Sequence, residues 1–247
     1  MPTSQMLGRF DVHAHLLPGV DDGCSCLEEA LDCARLLAAH GYRRLVCTPH
    51  VWPGFPLNTW PNIRSWTAAL QAAFRDAGVP LTLYPGGEIN IQAMWPALRH
   101  WGLPDVPTWA AAGRHVLADF WADRLPAEVE SSLGHLQDLG LTVILAHPER
   151  IAAFQHDPSL MDHLAGRGVL FQGNLQCFQD PPGSPQRTCV ELFARQGRYF
   201  MLGSDCHGLD TLGSRMAGLE AAIELLGRPV VDQLTIHNPA SLLEVGS

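Results

Sequence analysis

The sequence predicts an α/β fold in which parallel strands, each followed by a helix, close into a barrel. Short apolar segments alternate with amphipathic segments of helical periodicity along the whole chain. The strand segments are nearly continuous in apolar residues, which is typical of parallel strands covered by helices. Seven such units in 247 residues predict one domain over residues 1–247, a distorted (β/α)7 barrel one unit short of a TIM barrel. An open doubly wound sheet is disfavoured because the chain lacks a G-x-G-x-x-G fingerprint.

The predicted units follow one another in a regular order. Ser25 followed by Glu28 is typical of a capping box at the start of the first helix, and Pro61 and Pro126 fit the first turns of later helices. Each of these three runs ends at a glycine. The strands are predicted at 9–12, 44–47, 81–84, 115–118, 141–145, 169–172 and 199–202, and the helices at about 25–41, 61–77, 92–100, 126–139, 158–165, 186–196, 214–226 and 239–244.

Residues that commonly bind metals lie at or just past the carboxyl ends of the predicted strands. His13 and His15 are two residues apart, so on an extended segment their imidazoles point to the same side. The carboxyl ends of barrel strands share one rim, where these side chains are expected to meet. The candidate ligands are His13, His15, Asp22, His50, Glu88, Asp119, His147, Asp205 and His207. These imidazoles and carboxylates suffice for two or three divalent ions.

The other seven histidines act as an internal control because they fall away from the strand ends. Taken singly, each candidate ligand could instead be a helix cap, a turn residue or a buried histidine, but nine together on one rim favour a site. No functional role is expected for His40, His100, His115, His135, His156, His163 and His237.

Composition excludes several classes of protein. The net charge of −9 argues against a general nucleic-acid surface, which requires a basic stripe. No stretch is apolar enough for a membrane span, and Met1 to Phe10 lacks the apolar region of a secretory signal. The seven cysteines show no disulfide framework. A cytoplasmic location is therefore expected, and the oligomeric state is left open.

Five short motifs resemble, in order, those of the PHP (polymerase and histidinol phosphatase) family. They are Asp-Val-His-Ala-His, Thr-Pro-His, Gly-Gly-Glu, Ala-His-Pro-Glu-Arg and Ser-Asp-Cys-His-Gly. The opening His-Leu-Leu-Pro-Gly-Val-Asp-Asp-Gly is most similar to the bacterial protein-tyrosine phosphatases of capsule and exopolysaccharide loci. The resemblance extends over essentially the whole chain, and several motifs in the correct order are more specific than any single motif.

The resemblance implies a PHP-type barrel with a trinuclear site, usually of manganese or iron and sometimes of zinc. It assigns His13, His15, Glu88 and Asp205 to the first metal, Glu88, Asp119 and His147 to the second, and Asp22, His50 and His207 to the third. Where the family usually has a glutamate in the fourth motif, this chain has Asp119, which is one methylene shorter. The number of metals, two or three, is therefore left open.

The same resemblance implies roles for residues around the metals. Arg150 matches a phosphate-binding arginine, Arg215 a second one within a longer loop, and Asp11 a residue that orients ligands. Asp22 or a metal-bound water could serve as the general acid. The expected reaction is hydrolysis of protein phosphotyrosine by metal-activated hydroxide, and the expected substrate is an autophosphorylating bacterial tyrosine kinase.

Three alternatives remain open from the sequence. The chain could hydrolyse a small phosphate ester such as histidinol phosphate, or it could be a metal-binding scaffold without catalysis. A cysteine mechanism would use the C-x5-R pattern from Cys189 to Arg195, but this segment has no glycine and is predicted to be helical.

The proline-rich loop from Val51 to Pro61 has two interpretations. Its aromatic residues Trp52, Phe55 and Trp60 could line the mouth of the substrate site, where they would suit a phenol ring. They could equally pack the loop onto the barrel.

Overall fold

The computed structural model describes residues 8–244 as strands that alternate with helices. The strands are β1 (Arg9–Ala14), β2 (Tyr42–Cys47), β3 (His50–Val51), β4 (Thr82–Pro85), β5 (Glu88–Asn90), β6 (His115–Asp119), β7 (Thr142–Ala146), β8 (Leu170–Asn174) and β9 (Met201–Gly203). The α-helices are α1 (Leu27–Ala39), α2 (Trp60–Asp76), α3 (Trp95–Leu98), α4 (Ala127–Asp138), α5 (Ala152–His156), α6 (Leu160–Ala165), α7 (Pro185–Arg195), α8 (Leu209–Leu226), α9 (Arg228–Asp232) and α10 (Asn238–Glu244). Short 3-10 turns cover Leu103–Asp105, Trp109–Ala111, Pro148–Arg150 and Leu175–Gln179, and a π-helical turn covers Gln233–His237.

The strands form the wall of a distorted barrel. Every strand pair is parallel, with β1, β2 and β4 in one sheet and β3, β5, β6, β7, β8 and β9 in the other. A parallel bridge between Ala14 and Cys206 brings β1 against the chain that leaves β9. The strands thus follow the order of seven β/α units around one barrel, which confirms the predicted α/β fold with its parallel strands.

Two of the seven predicted strands are each divided into two segments. The second is interrupted at Thr48–Pro49, between β2 and β3, and the third at Gly86–Gly87, between β4 and β5. The Gly86 N–H donates to the Cys47 carbonyl at 2.9 Å and the Glu88 N–H donates to the Pro49 carbonyl at 3.0 Å, so pairing continues across the gap. The interruptions therefore divide the wall into two sheets without opening it.

The divided strands change the placement of two predicted ligands. The sequence analysis places His50 and Glu88 after strand ends, but in the structure they lie inside β3 and β5 and pair with each other in register. A Cβ on Gly86 would lie 2.8 Å from Val46 Cγ1, and a Cβ on Gly87 would lie 3.0 Å from Pro107. Glycine is required here because the neighbouring strand and loop approach the main chain closely.

Several predicted helix boundaries are wrong. Helix α1 begins at Leu27, and the Ser25 N–H and hydroxyl both donate to Glu29 at 2.8 Å, so Glu28 forms no capping box. The helix predicted at 92–100 is a single turn, the one predicted at 158–165 is preceded by a separate α5, and α8 begins before 214, at Leu209. These starts depend on tertiary contacts, which local sequence patterns do not record.

Two apolar clusters support the barrel. The larger one packs the helices onto the outside of the strands, as Ala34 and Leu37 of α1 do. The smaller one joins Phe10, Val12, Leu117 and Ile144 with Trp109, whose indole N–H donates to the Val12 carbonyl at 3.0 Å. This smaller cluster fills the barrel below the carboxyl ends of the strands, so the polar side chains at the mouth stand on a packed floor.

None of the helices between residues 8 and 244 has the length and apolar composition needed to cross a membrane. The expectation that Met1 to Phe10 carries no secretory signal is not tested, because residues 1–7 of that segment lie outside the described part of the chain.

Helix α8 contains a glycine whose hydrogen side chain is required by packing. A Cβ on Gly218 would lie 1.9 Å from the carbonyl oxygen of Leu175, so Gly218→Ala must displace the helix from the 3-10 turn beneath it. We expect the free energy of unfolding to fall by about 1–3 kcal/mol, measured by urea denaturation.

Gly213→Ala is the matched control in the same helix, because a Cβ at Gly213 would meet no atom within 4 Å. This variant should be more stable than the wild type by up to about 1 kcal/mol, since alanine favours the helix. Equal urea midpoints for the two variants would refute the packing argument.

Candidate metal centre

The mouth of the barrel brings together all nine predicted ligands. Three groups have ligand atoms within 4.8 Å of one another: His15, Asp22, His50 and His207; His13, His15 and Glu88; and Glu88, Asp119 and His147. Asp205 joins them, because its Oδ1 lies 3.4 Å from Nε2 of both His13 and His15. None of the seven control histidines belongs to such a group within residues 8–244. That these nine residues bind metal stays a prediction.

Glu88 lies at the centre of the cluster. Its Oε1 is 2.9 Å from His147 Nε2, and its Oε2 is 2.8 Å from His50 Nδ1. Oε2 is also 3.5 Å from His13 Nε2 and 3.6 Å from His15 Nε2. Burial alone would raise the pKa of Glu88, but the surrounding imidazoles, led by His13, hold it well below its usual value. The buried carboxylate is therefore ionised and shared by four imidazoles.

The two histidines of β1 present the same nitrogen to the site. Their Nε2 atoms lie 3.1 Å apart, while Nδ1 of His13 is 2.8 Å from Gln172 Oε1 and Nδ1 of His15 is 2.8 Å from Asp21 Oδ2. Both partners are acceptors, so each Nδ1 carries the hydrogen and donates it. Each Nε2 therefore faces the site and is the nitrogen that would ligate a metal.

Asp21 and Gln172 are functional neighbours that the sequence analysis missed. Asp21 caps the turn by accepting the Gly23 N–H at 3.0 Å, and it also orients His15 and accepts the His50 N–H at 3.0 Å. The His15 imidazole lowers the pKa of Asp21 to about 2 even though burial opposes this. Nothing local distinguishes Asp21 from Asp22, because only the fold shows which carboxylate is turned inward.

The two oxygens of Asp205 have different surroundings. Its Oδ2 accepts from Arg150 Nη1 at 2.6 Å and from Asn174 Nδ2 at 2.7 Å, while Oδ1 faces His13 and His15. Burial would raise the pKa of Asp205, but His13 and the other imidazoles hold it well below its usual range. One oxygen is thus positioned by donors, and the other is available to an ion.

The main chain is strained at two of the predicted ligands. His147 has φ of +34° and Asp205 has φ of +52°, both in the left-handed region that residues other than glycine rarely adopt. Asp11, which the resemblance implies to orient ligands, accepts from the Ser204 N–H at 2.9 Å and from the Ser204 hydroxyl. It therefore fixes the turn before Asp205 and leaves the imidazoles to other partners.

Asp119 lies at the edge of the cluster, where neither charge nor hydrogen bonding from the described residues fully compensates its burial. It is fully buried, and neither carboxylate oxygen accepts a hydrogen bond of normal geometry from any described residue. Burial and the charge on Glu88 raise the pKa of Asp119 well above its usual value, and the Trp121 side chain offsets only part of this rise. An uncompensated buried carboxylate is costly unless a cation balances it. Together with the imidazoles, this residue fits a borderline divalent metal.

The three residues predicted to act on substrate occupy different environments. The Arg150 side chain is 36% exposed, and its guanidinium lies 5.3 Å from the ring of Trp121. Asp22 is exposed, with Oδ1 at 3.2 Å from His50 Nε2 and 3.6 Å from His207 Nε2.

Arg215 is buried rather than directed to the solvent. Its Nε donates to the Asp205 carbonyl at 2.9 Å and its Nη1 donates to Gln176 Oε1 at 2.6 Å. These bonds support the Asp205 turn, and the phosphate contact of Arg215 stays a prediction.

The aromatic loop packs beside the cluster. The ring of Trp52 lies 4.2 Å from the imidazole of His50, and the ring of Phe55 lies 6.0 Å from it. The loop therefore borders the candidate site.

The alternative C-x5-R pattern lies in a regular helix. Cys189 is buried within α7, and burial raises the pKa of its thiol. The segment from Cys189 to Arg195 lies inside this helix, so its main-chain N–H groups form no phosphate-binding loop.

The chain matches the family described as capsular polysaccharide synthesis, CpsB/CapC, over residues 9–244. It is 29% identical to the tyrosine-protein phosphatase YwqE of Bacillus subtilis over 66% of this chain, an alignment that covers 63% of YwqE. It is 23% identical to the tyrosine-protein phosphatase CpsB of Streptococcus pneumoniae over 95% of this chain and 98% of CpsB.

Solved structures share the fold. A chain from crystal structures of YwqE and CpsB, described as unique metal-dependent tyrosine phosphatases, superposes with a TM-score of 0.85 at 24% identity, covering 96% of this chain and 95% of that one. A phosphotriesterase homology protein of Escherichia coli with phosphate in its active site superposes with a TM-score of 0.59 at 12% identity, covering 96% and 99%. At these identities the likeness concerns the fold alone.

Asp21→Asn should weaken metal binding about 10- to 100-fold, because an amide replaces the anionic acceptor that orients His15. Affinity for manganese would be measured by competition with a chromophoric chelator. Asp76→Asn, the same change at an exposed residue that ends α2, is the control and should bind as the wild type does. Unchanged affinity in Asp21→Asn would show that Asp21 does not support the site.

Proposed function

Because this chain belongs to the CpsB/CapC family of capsular polysaccharide synthesis, we propose that it is a metal-dependent phosphatase acting on phosphotyrosine in proteins. The proposal depends mainly on one observation, the buried Glu88 carboxylate shared by four imidazoles at the barrel mouth. Such a donor set suits divalent cations, and the barrel mouth is where this architecture holds active sites.

The site would hold two or three divalent ions, manganese or iron, with zinc as the third choice. The ligand sets are those of the resemblance: His13, His15, Glu88 and Asp205; Glu88, Asp119 and His147; and Asp22, His50 and His207. When bound, such ions lower the pKa of water from 15.7 toward about 7 and neutralise charge on phosphoryl oxygens.

Arg150 is the residue that would bind the phosphoryl group. Its side chain lies at the edge of the cluster, packs against Trp121, and uses Nη1 for its bond to Asp205. A guanidinium has five N–H donors, so others remain to hold phosphoryl oxygens in a fixed orientation.

Asp22 is the residue that would act as the general acid. It is exposed and adjoins His50 and His207, so it can exchange protons with water and reach a leaving group at the mouth. A tyrosinate leaving group has a pKa of about 10 and needs less protonation than a serine alkoxide. A phosphotyrosine substrate would therefore suit Asp22 as the acid.

The substrate we propose is an autophosphorylating tyrosine kinase of a capsule or exopolysaccharide assembly system, encountered in the cytoplasm. The relatives named tyrosine-protein phosphatases and the capsular description of the family support this choice. The whole chain, residues 1–247, would act as one domain.

The protein should release phosphate from a phosphotyrosine peptide in the presence of manganese and stop when the metal is chelated. His147→Ala should lower kcat/KM by about 100-fold or more, because it removes the imidazole that faces Glu88 at 2.9 Å. His163→Ala, at an exposed histidine on α6, is the control and should retain full activity.

Turnover that survives both chelation and His147→Ala would rule out the metal mechanism. Cys189→Ser should be fully active, since Cys189 lies within a helix away from the cluster. The same assay with histidinol phosphate separates the two substrate classes: a higher kcat/KM for histidinol phosphate than for the peptide would favour the small-molecule alternative. Bound metal without turnover on either ester would favour the scaffold.

A further inference from the structure

The loop that follows β3 forms one wall of a cavity of about 530 Å³. Trp52 and Phe55 line it from this loop, and the opposite wall comes from residues 93–107, including Met94, Ala97 and Trp101. The two walls converge from separate parts of the sequence, so the cavity is created by the fold.

This cavity borders the candidate metal centre at Trp52. It begins at Val51 and Trp52, directly after the predicted ligand His50, and the Trp52 ring packs 4.2 Å from the His50 imidazole. The indole N–H of Trp52 is buried and has no hydrogen-bond acceptor among the described residues. Because Trp52 contacts both places, a substrate held at the metal centre would reach the cavity past this ring.

The inner parts of the walls are fixed by packing. Trp60, Met94 and Trp101 are half-buried and pack against the main apolar core, whereas Ala93 and Ala97 at the rim are exposed. The cavity is thus preformed, and binding requires little ordering of its walls. Trp60 packs against the core, which agrees with the interpretation that the loop aromatics hold the loop on the barrel. Trp52 and Phe55 lie beside the candidate site.

We propose that this cavity binds the apolar side chain of a residue next to phosphotyrosine in the substrate protein. The inference depends on the proposed function. With the phosphate at the metals, the phenol ring would lie near Trp52, and the Cα atoms of residues one or two positions along the substrate chain lie about 4–7 Å from the tyrosine Cα. A cavity of about 530 Å³ exceeds the space that one phenol ring needs.

The charge of the cavity walls determines which residues next to phosphotyrosine can bind there. Asp105 is the charged side chain among the residues that line the cavity, and the other lining residues are mostly aromatic, aliphatic or proline. An acidic neighbour would meet the Asp105 carboxylate and lose its hydration, whereas leucine or phenylalanine would bury apolar surface. The cavity therefore selects apolar neighbours and rejects acidic ones.

Three substrates test this inference with manganese present: para-nitrophenyl phosphate, and two phosphotyrosine peptides of equal length with either leucine or glutamate on both sides of the tyrosine. The wild type should have a kcat/KM about tenfold or more higher for the leucine peptide than for the glutamate peptide. Ala97→Lys adds an ammonium at the rim without removing core packing. Because this positive charge offsets Asp105 and attracts glutamate, the variant should abolish the preference mainly by lowering KM for the glutamate peptide.

Ala68→Lys is the matched control, because it adds the same charge at an exposed position on α2 outside the cavity. It should keep the wild-type preference, and both variants should hydrolyse para-nitrophenyl phosphate comparably. Equal kcat/KM values for the two peptides in the wild type, or an unchanged preference in Ala97→Lys, would overturn the inference while leaving the phosphatase function intact. Absence of hydrolysis of all three esters would overturn the proposed function and the inference with it.

Discussion

A buried carboxylate surrounded by imidazoles is the constraint on which the site depends. Glu88 lies within 4 Å of His13, His15, His50 and His147, where it is removed from water. Ionised groups persist in such a place only when opposite charge compensates them. The imidazoles meet this requirement for Glu88 but not for Asp119, which is why the pKa of Asp119 is raised while that of Glu88 is lowered. A divalent cation between them would satisfy both carboxylates.

The barrel wall is built around this requirement. The division of two strands at Thr48–Pro49 and Gly86–Gly87 places His50 and Glu88 in register on neighbouring segments. Proline removes an N–H from the strand, and the glycines allow close approach by neighbouring side chains. The strands are therefore interrupted where the wall directs a carboxylate and an imidazole toward one point.

The cluster of candidate ligands could be predicted because most of its members lie in or just after a strand, and barrel geometry brings strand ends together whatever the details of packing. The division of the two strands could not be predicted from the sequence, because it depends on contacts such as that of Gly86 with Val46 across the wall. Asp21 and Gln172 were missed for the same reason: a carboxylate or amide is recognisable as an imidazole partner only when its direction is known. The predicted capping box was wrong by one residue, because Glu29 rather than Glu28 accepts from Ser25.

Arg150 shows how the site can hold itself together and still bind substrate. Its bond to Asp205 Oδ2 would compete with a bond to phosphate, but Asn174 donates to the same oxygen at 2.7 Å. The carboxylate oxygen therefore keeps a donor if Arg150 turns toward a substrate, and the cost of an unpaired buried acceptor is avoided. Trp121 holds the guanidinium at the mouth through its ring face. The arginine is thus positioned by two neighbours, neither of which needs its remaining N–H groups.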